Sequence, residues 1–467
     1  MLKFTEIDRA NPSKRGVMER IKDFREVYEV YEEDQAIDQA ERCMQCGDPY
    51  CHTKCPLHNI IPAWLKQVAN KDLELAFNIS NETSPFPEIL GRICPQDVLC
   101  EGDCSLNETH GAISIGSIET HITESGFTKG LKPKFNTNSI KGKVAVIGSG
   151  PAGMSVAYFL LREGVEVHMF ERANKAGGLL TYGIPGFKLE KQRVQRRIDF
   201  MIDAGMKLTL NCEVGKDISF ESLENDYDSV FIGIGATKGK LAGINGEDGN
   251  NVHLAMDFLT AVQKRELDEE VENFIDVKAK KVVVVGGGDT AMDCVRTSVR
   301  EGASSVKCLY RRDEANMPGS KKEVVNSKEE GVEFVFNVSP VSIEASGINL
   351  QKTTLSEADE SGRQRVSIID GSDYLEEADV IIMALGFDQE LPQFIKDSGV
   401  ELDKWGGVII NLDTKQTSKN KVYCGGDAVR GADLAVTAAA DGKAAAKAIV
   451  ASRSEERRVG KECRSRW

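Results

Sequence analysis

Positive charge is in short supply in this chain: its 467 residues carry 59 Lys and Arg against 73 Asp and Glu, a formal net charge of −14. That balance argues against a nucleic acid or an anionic membrane surface as partner and leaves proteins or small substrates. The N-terminus, Met1 to Asp8, has charges within its first residues and lacks the apolar core of a signal peptide. The expected compartment is therefore the reducing cytoplasm, where structural disulfides are rare. Long apolar runs are missing as well. The one long stretch without charge, Val144 to Leu161, is interrupted near its start by Gly148, Gly150, Pro151 and Gly153. Those residues exclude a membrane span and suit a buried strand, a tight turn and a helix. No low-complexity tract or short internal repeat stands out.

Cysteine, by contrast, is abundant and unevenly placed. Seven of the twelve lie between Cys43 and Cys104, as Cys43-x2-Cys46-x4-Cys51-x3-Cys55-Pro56 and Cys94-Pro95-x4-Cys100-x3-Cys104. In a reducing compartment such a density points to metal rather than bridges. Structural zinc is the plainer alternative, since Cys-x2-Cys pairs serve zinc and His52, His58 and His110 lie nearby. A Cys-Pro closing a tight Cys run is instead the ferredoxin-like pattern, in which the last Cys serves a different cluster from the first three. Two 4Fe-4S clusters need about eight ligands. Seven cysteines leave one place for another side chain, and a carboxylate is a reasonable candidate.

The expected architecture is α/β: a helical N-terminal iron-sulfur domain followed by two Rossmann-like dinucleotide-binding domains, the FAD domain discontinuous around the NADPH domain. The boundaries read as 1–140 (iron-sulfur), 141–245 (FAD, first part), 246–383 (NADPH), 384–452 (FAD, second part) and 453–467, a basic tail taken as unstructured or extraneous to the fold. Ile61, Trp64, Leu65 and Val68 recur at helical spacing, with a second short helix at Leu73, Ala76 and Phe77. The stretch from Phe135 to Lys143 reads as a linker. From Lys143 the pattern is strand, Gly148-Ser-Gly150-Pro151-Ala152-Gly153 turn and helix, with a second strand ending in Glu171, 18 residues after the last glycine. This is the dinucleotide fingerprint: a tight turn, backbone approach to a pyrophosphate, free helix N-terminal amides, and an acid for the ribose.

The unit recurs 138 residues later as Gly286-Gly-Gly288-Asp289-Thr290-Ala291, but its second strand ends in Arg311-Arg312. Arginines there suit a 2′-phosphate, so this nucleotide is expected to be NADPH. A third segment, Val422 to Asp427 followed by an alanine-rich helix from Ala432 to Ile449, is expected to bring Gly426 and Asp427 to a flavin and to aim a helix N-terminus at it. The crossings between domains are expected near Gly233 to Thr237 and Ala384 to Phe387.

Four blocks carry a family resemblance: Arg42-Cys-Met-Gln-Cys-Gly47, Gly91-Arg-Ile-Cys-Pro-Gln-Asp97 through Cys104, Gly177-Gly178-Leu179-Leu-Thr-Tyr-Gly183-Ile-Pro185, and Tyr310 to Gly319. Over residues 5 to 451 the chain resembles the small (beta) subunits of bacterial NADPH-dependent glutamate synthases. Related two-cluster modules occur in dihydropyrimidine dehydrogenase and in electron-bifurcating transhydrogenases. The resemblance implies Cys43, Cys46, Cys51 and Cys104 for one cluster, and Cys55, Cys94 and Cys100 with Glu119 for the other. It adds Gly178, Leu179 and Gly183 to the flavin site. It further implies electron flow from NADPH through FAD and both clusters to a large (alpha) subunit with FMN, which makes glutamate from glutamine and 2-oxoglutarate. No side-chain acid or base is needed for the hydride step. The chain has no visible glutaminase nucleophile at its N-terminus, position 2 being Leu.

Three other readings share some of these features. A disulfide reductase of the thioredoxin-reductase type needs a redox Cys pair beside the flavin, for which Cys294, Cys308 and a solitary Cys212 are poor candidates. A module with the same cofactors could serve ferredoxin or another reductase partner. A non-catalytic binding subunit is the third.

Overall fold

The computed structural model describes residues 1–136, 142–358 and 364–464, with side chains up to Arg453. The expected linker and its boundary at 140/141 fall partly outside the described residues, as do the last three residues of the tail.

Short helices build the first region: Glu33–Glu41, Tyr50–Lys54, Ile61–Ala69, Leu73–Thr83, Pro87–Ile93 and Ile115–Thr128. The stripe Ile61, Trp64, Leu65 and Val68 is fully buried, as its helical period requires. Residues 14–30 do more than the domain reading foresaw. They form a strap across the rest of the molecule, with Val27 N donating to Phe187 O at 3.1 Å and Arg20 reaching Glu330 at 2.9 Å.

The first parallel sheet contains Lys143–Ile147, Glu166–Phe170, Lys207–Thr209 and Ser229–Ile232, and is completed by Val422–Cys424 from near the other end of the chain. A strand contributed across nearly 190 residues makes this unit discontinuous, as expected. The second parallel sheet holds Val252–Leu254, Val380–Met383, Lys281–Val285, Ser305–Tyr310 and Glu333–Phe336. Both sheets are covered by helices on their faces, which is why their central strands are continuous Val and Ile runs. The crossings lie side by side: Lys238–Gly239 pairs antiparallel with Phe387–Asp388.

Three features depart from expectation. An antiparallel sheet of Val338–Glu344, Gly347–Leu355, Val366–Ile368 and Tyr374–Glu377 lies within the nucleotide segment. It was not foreseen because its strands alternate polar and apolar only weakly. The alanine-rich helix starts at Ala435 rather than Ala432, because Gly431 adopts φ +81° and Asp427–Arg430 forms a separate short helix. The same helix continues to Arg464, so the first part of the tail is helical rather than unstructured; its Glu, Arg and Lys are good helix formers. Arg453 pairs there with Asp228 at 2.7 Å.

Burial divides the molecule differently from the domain boundaries. The iron-sulfur region and the first sheet share one continuous apolar core that includes Trp64, Phe77, Val146, Tyr158 and Ala439. The nucleotide segment has its own cores. It meets the rest through ions and aromatics: Arg296 and Arg300 lie 4.3 and 4.0 Å over the Phe187 ring. Among the described residues no helix is long and apolar enough to cross a membrane.

Candidate functional site: a dinucleotide cleft walled by a cysteine cage

Two groups of sulfurs form in the helical region. Arg42 is fully buried and donates to Ile7 O, Ala112 O, Gly111 O and His110 O at 2.6 to 3.0 Å, drawing Cys43 toward the loop that carries Cys104. Cys43 Sγ accepts from Gln45 Nε2 at 3.3 Å. Burial, and then the neighbouring Cys104, Cys43 and Cys46, push the Cys51 thiol up to about 12. Cys43, Cys46, Cys51 and Cys104 are therefore one electrostatic group.

The second group is deeper. Cys94 closes the helix Pro87–Ile93, and Glu119 lies on Ile115–Thr128. The two helices pack backbone to backbone, since a Cβ on Gly91 would come within 2.8 Å of Gly116 O. Cys55, Cys94, Cys100 and Glu119 all line one small cavity. Burial raises Cys94 and Cys100 well above the thiol range, with Glu101 at Cys100, and Cys55 and Glu119 at both, adding to it. Burial, with Glu88 a lesser cause, pushes the Glu119 carboxyl up to about 8. A carboxylate so desolvated is stabilised by a cation.

The residues fit iron-sulfur ligation. Among the described residues the buried Trp64 indole N–H and Asn59 Oδ1 find no partner, and both residues line the cavity. Among the described residues no three His, Cys, Asp or Glu side chains converge tightly enough for a single ion. His52, His58 and His110 are bonded or in ring contact elsewhere: His52 Nδ1 with Asn59 O at 3.0 Å, His52 tilted against His58, and His110 edge-on to Phe4.

A cleft of about 2090 Å³ opens beside this cage. Gly148, Gly150, Pro151, Ala152, Glu171, Gly178, Leu179, Gly183, Gly426 and Asp427 line one half, and Asp289 and Thr290 line the other. Gly153, Gly286, Gly288, Arg311 and Arg312 do not line it. Gly153 acts in packing, since a Cβ there would meet Gly148 O at 2.0 Å. Gly178, at φ +54°, lies against the turn, where its Cβ would meet Gly150 Cα at 2.9 Å. A Cβ on Gly150 would meet nothing within 4 Å, so open space lies beside the backbone of the turn, which fits a pyrophosphate. Glu171 is held by Ser149 N at 2.9 Å, Ser149 Oγ at 2.5 Å and Ala173 N at 2.9 Å. Burial lifts Asp427 to about 6. Arg311 and Arg312 stand at the end of Ser305–Tyr310, outside the cleft, and the buried Arg312 Nε has no partner, as fits a site for an added anion.

Among the described residues, Cys94 is the one cysteine in the cleft, and no redox pair sits beside the flavin turn. Cys212 is partly exposed. Cys294, Cys308 and also Cys424, which the reading above leaves out, are buried with raised thiols. Sequence reasoning also missed Lys188 and Asp293, which line the cleft and pair at 2.8 Å across the two sheets, and Asp441, which accepts from Gly426 N at 2.8 Å and from Arg430 Nη1 at 2.6 Å. These pairings join positions distant in sequence and leave no local pattern.

Residues 142–442 match the family described as pyridine nucleotide-disulphide oxidoreductase, and residues 20–131 match dihydropyrimidine dehydrogenase domain II, 4Fe-4S cluster. The fold is shared with the solved structure of Mycobacterium tuberculosis FprA in complex with NADPH (TM-score 0.57, 19% identity, 69% of this chain and 86% of that one). The chain is thus a pyridine nucleotide oxidoreductase with an N-terminal 4Fe-4S domain. It is 45% identical over 460 residues to the glutamate synthase [NADPH] small chain of Escherichia coli K12, covering 96% of this chain and 98% of that one. The Azospirillum brasilense small chain is 44% identical, covering 96% and 95%. The E. coli oxidoreductase AegA is 46% identical, covering 95% of this chain and 69% of its own length. The chain belongs to the family of the glutamate synthase [NADPH] small chains.

Proposed function

We propose that the chain is the electron-input subunit of an NADPH-dependent glutamate synthase in the cytoplasm, passing electrons to a large subunit that carries FMN and makes glutamate from glutamine and 2-oxoglutarate. The observation that carries this reading is a shared wall: Cys94 and Val436 line both the dinucleotide cleft and the cage of Cys55, Cys94, Cys100 and Glu119. When bound, FAD supplies the step from two-electron hydride acceptance to single-electron release, and two 4Fe-4S clusters supply single-electron carriage.

The chain's residues hold these groups in place. The turn Gly148 to Gly153 presents backbone amides to the flavin pyrophosphate, and Glu171, already oriented by Ser149, accepts from its ribose. Gly426, fixed by Asp441, and Asp427 face the flavin side of the cleft, as does the start of the helix Ala435–Arg464. Gly286, Gly288, Asp289 and Thr290 form the NADPH turn, and Arg311 and Arg312 neutralise the 2′-phosphate. Cys55, Cys94, Cys100 and Glu119 hold the cluster nearer the flavin, while Cys43, Cys46, Cys51 and Cys104 hold the other. One NADPH and one proton are consumed for each pair of electrons that converts glutamine and 2-oxoglutarate into two glutamates.

A second reading keeps this wiring and changes the acceptor; the 46% identity to AegA favours it. Anaerobic purification from the native cell, followed by NADPH oxidation with and without glutamine plus 2-oxoglutarate, separates the two. Co-purification of a large subunit and oxidation dependent on both substrates supports glutamate synthase. NADPH oxidation that neither substrate changes supports another acceptor.

A further inference from the structure

Asn59 lines the same small cavity as Cys55 and Glu119. Its side-chain Nδ2 donates to Glu119 Oε1 at 3.3 Å. Both side chains are buried, Asn59 at 5% and Glu119 at 6% exposure, and among the described residues no other side chain donates to Glu119. The loop that sets Asn59 in place is itself constrained: His58 adopts φ +50°, His58 N donates to Cys55 O at 2.8 Å, and Lys443 Nζ anchors Leu57 O at 2.8 Å. Among the described residues Asn59 Oδ1 finds no partner, so the amide is oriented by what Nδ2 meets.

We infer that Asn59 is the positioning residue for Glu119, holding one carboxylate oxygen so that the other is turned to the iron of the cluster beside the flavin. The inference rests on Glu119 being that cluster's eighth ligand. A carboxylate is a flexible ligand with two equivalent oxygens, and a donor fixed to one of them selects the orientation and withdraws charge from the group. Removing the donor leaves a more basic carboxylate, which favours the oxidised cluster and lowers its potential.

The test uses cofactor-loaded protein carrying Asn59→Ala, Asn59→Ser or Glu119→Cys, or Asn59→Ala and Glu119→Cys together, with EPR-monitored redox titration as readout. Because the hydrogen bond is stronger to one redox state than to the other, Asn59→Ala should shift the oxidised-to-reduced ratio of one cluster by up to roughly tenfold. Tenfold corresponds to about 59 mV for one electron. The line shape of that cluster should change, while the other cluster and the flavin content stay as in the parent. With Glu119→Cys in place, Asn59→Ala should add no further shift. If Glu119→Cys leaves both cluster spectra unchanged, the ligand assignment itself fails. If Glu119→Cys changes one spectrum but Asn59→Ala does not, or shifts it equally in both backgrounds, the positioning role is overturned. Equal loss of flavin and both clusters from Asn59→Ala and Asn59→Ser also overturns it, marking a merely structural residue.

Discussion

The two dinucleotide turns share a register and solve it differently. At the second position the first turn has Ser149, whose N–H and hydroxyl both bind Glu171. The second turn has Gly287 there, because a Cβ would come within 2.4 Å of the Tyr310 ring. At the last position Gly153 lets the helix press against Gly148 O, whereas Ala291 is accommodated and fully buried. The surroundings differ in the same sense. The flavin turn sits in a core continuous with the cysteine cage, while the nucleotide unit is docked by Arg20 on its Glu330, Lys188 on its Asp293 and Phe187 under its Arg296 and Arg300. A cofactor that stays is built into the scaffold; one that comes and goes sits on a unit joined by ion pairs and a two-stranded crossing.

Removing Glu330 gives the largest expected effect on this contrast. Its loss leaves Arg20 and Arg296 with Glu329 and Glu323 alone and takes from Arg300 its carboxylate partner, all within a buried cluster, and breaking such a cluster costs about 3–5 kcal/mol. Glu330→Gln should lower the melting temperature of the nucleotide unit while leaving flavin absorbance intact at moderate temperature, a split that calorimetry with flavin fluorescence resolves. The same group fixes an acid limit. Burial raises the Glu330 carboxyl, but hydrogen bonds from Arg296 and Arg300 outweigh it and hold it at about 2, below its ordinary 4.5. A depressed carboxylate stabilises the fold fully above about 4.5, and that contribution fades as pH falls toward 2. Parent protein should therefore lose stability over that window, and Glu330→Gln should lose less.

Arg312→Ala comes next. Losing one charge-assisted contact of about 1.5–3 kcal/mol should weaken NADPH binding roughly ten- to hundredfold and leave NADH nearly unchanged, read as kcat/KM for each nucleotide. Equal losses for both would remove the 2′-phosphate role. Exchanging the last turn residue then tests the register itself. Gly153→Ala forces a Cβ onto a carbonyl and should cost about 1–3 kcal/mol with loss of flavin, whereas Ala291→Gly should cost only about 1 kcal/mol.

The sequence made some of this legible. Each strand-turn-helix unit could be read because its residues are contiguous and each glycine answers a local steric demand. The two cysteine runs could be read because thiolates at that density require a shared ligand. The start of the helix at Ala435 depended on Gly431 and Asp433 interrupting an alanine-rich run, which composition alone does not reveal. Lys188 with Asp293, Arg20 with Glu330, and Asn59 with Glu119 lie 105, 310 and 60 residues apart, so only the fold brings them together. The antiparallel sheet Val338–Glu377 was illegible for a different reason: its half-exposed strands carry little hydrophobic contrast.

The shared wall at Cys94 is best tested by anaerobic rapid mixing of the cofactor-loaded protein with NADPH, followed optically and by freeze-quench EPR, for the parent and Cys94→Ala. The expected result is flavin bleaching in both proteins and cluster reduction in the parent alone. Cluster reduction at the parental rate in Cys94→Ala would contradict a path from the cleft through this cage.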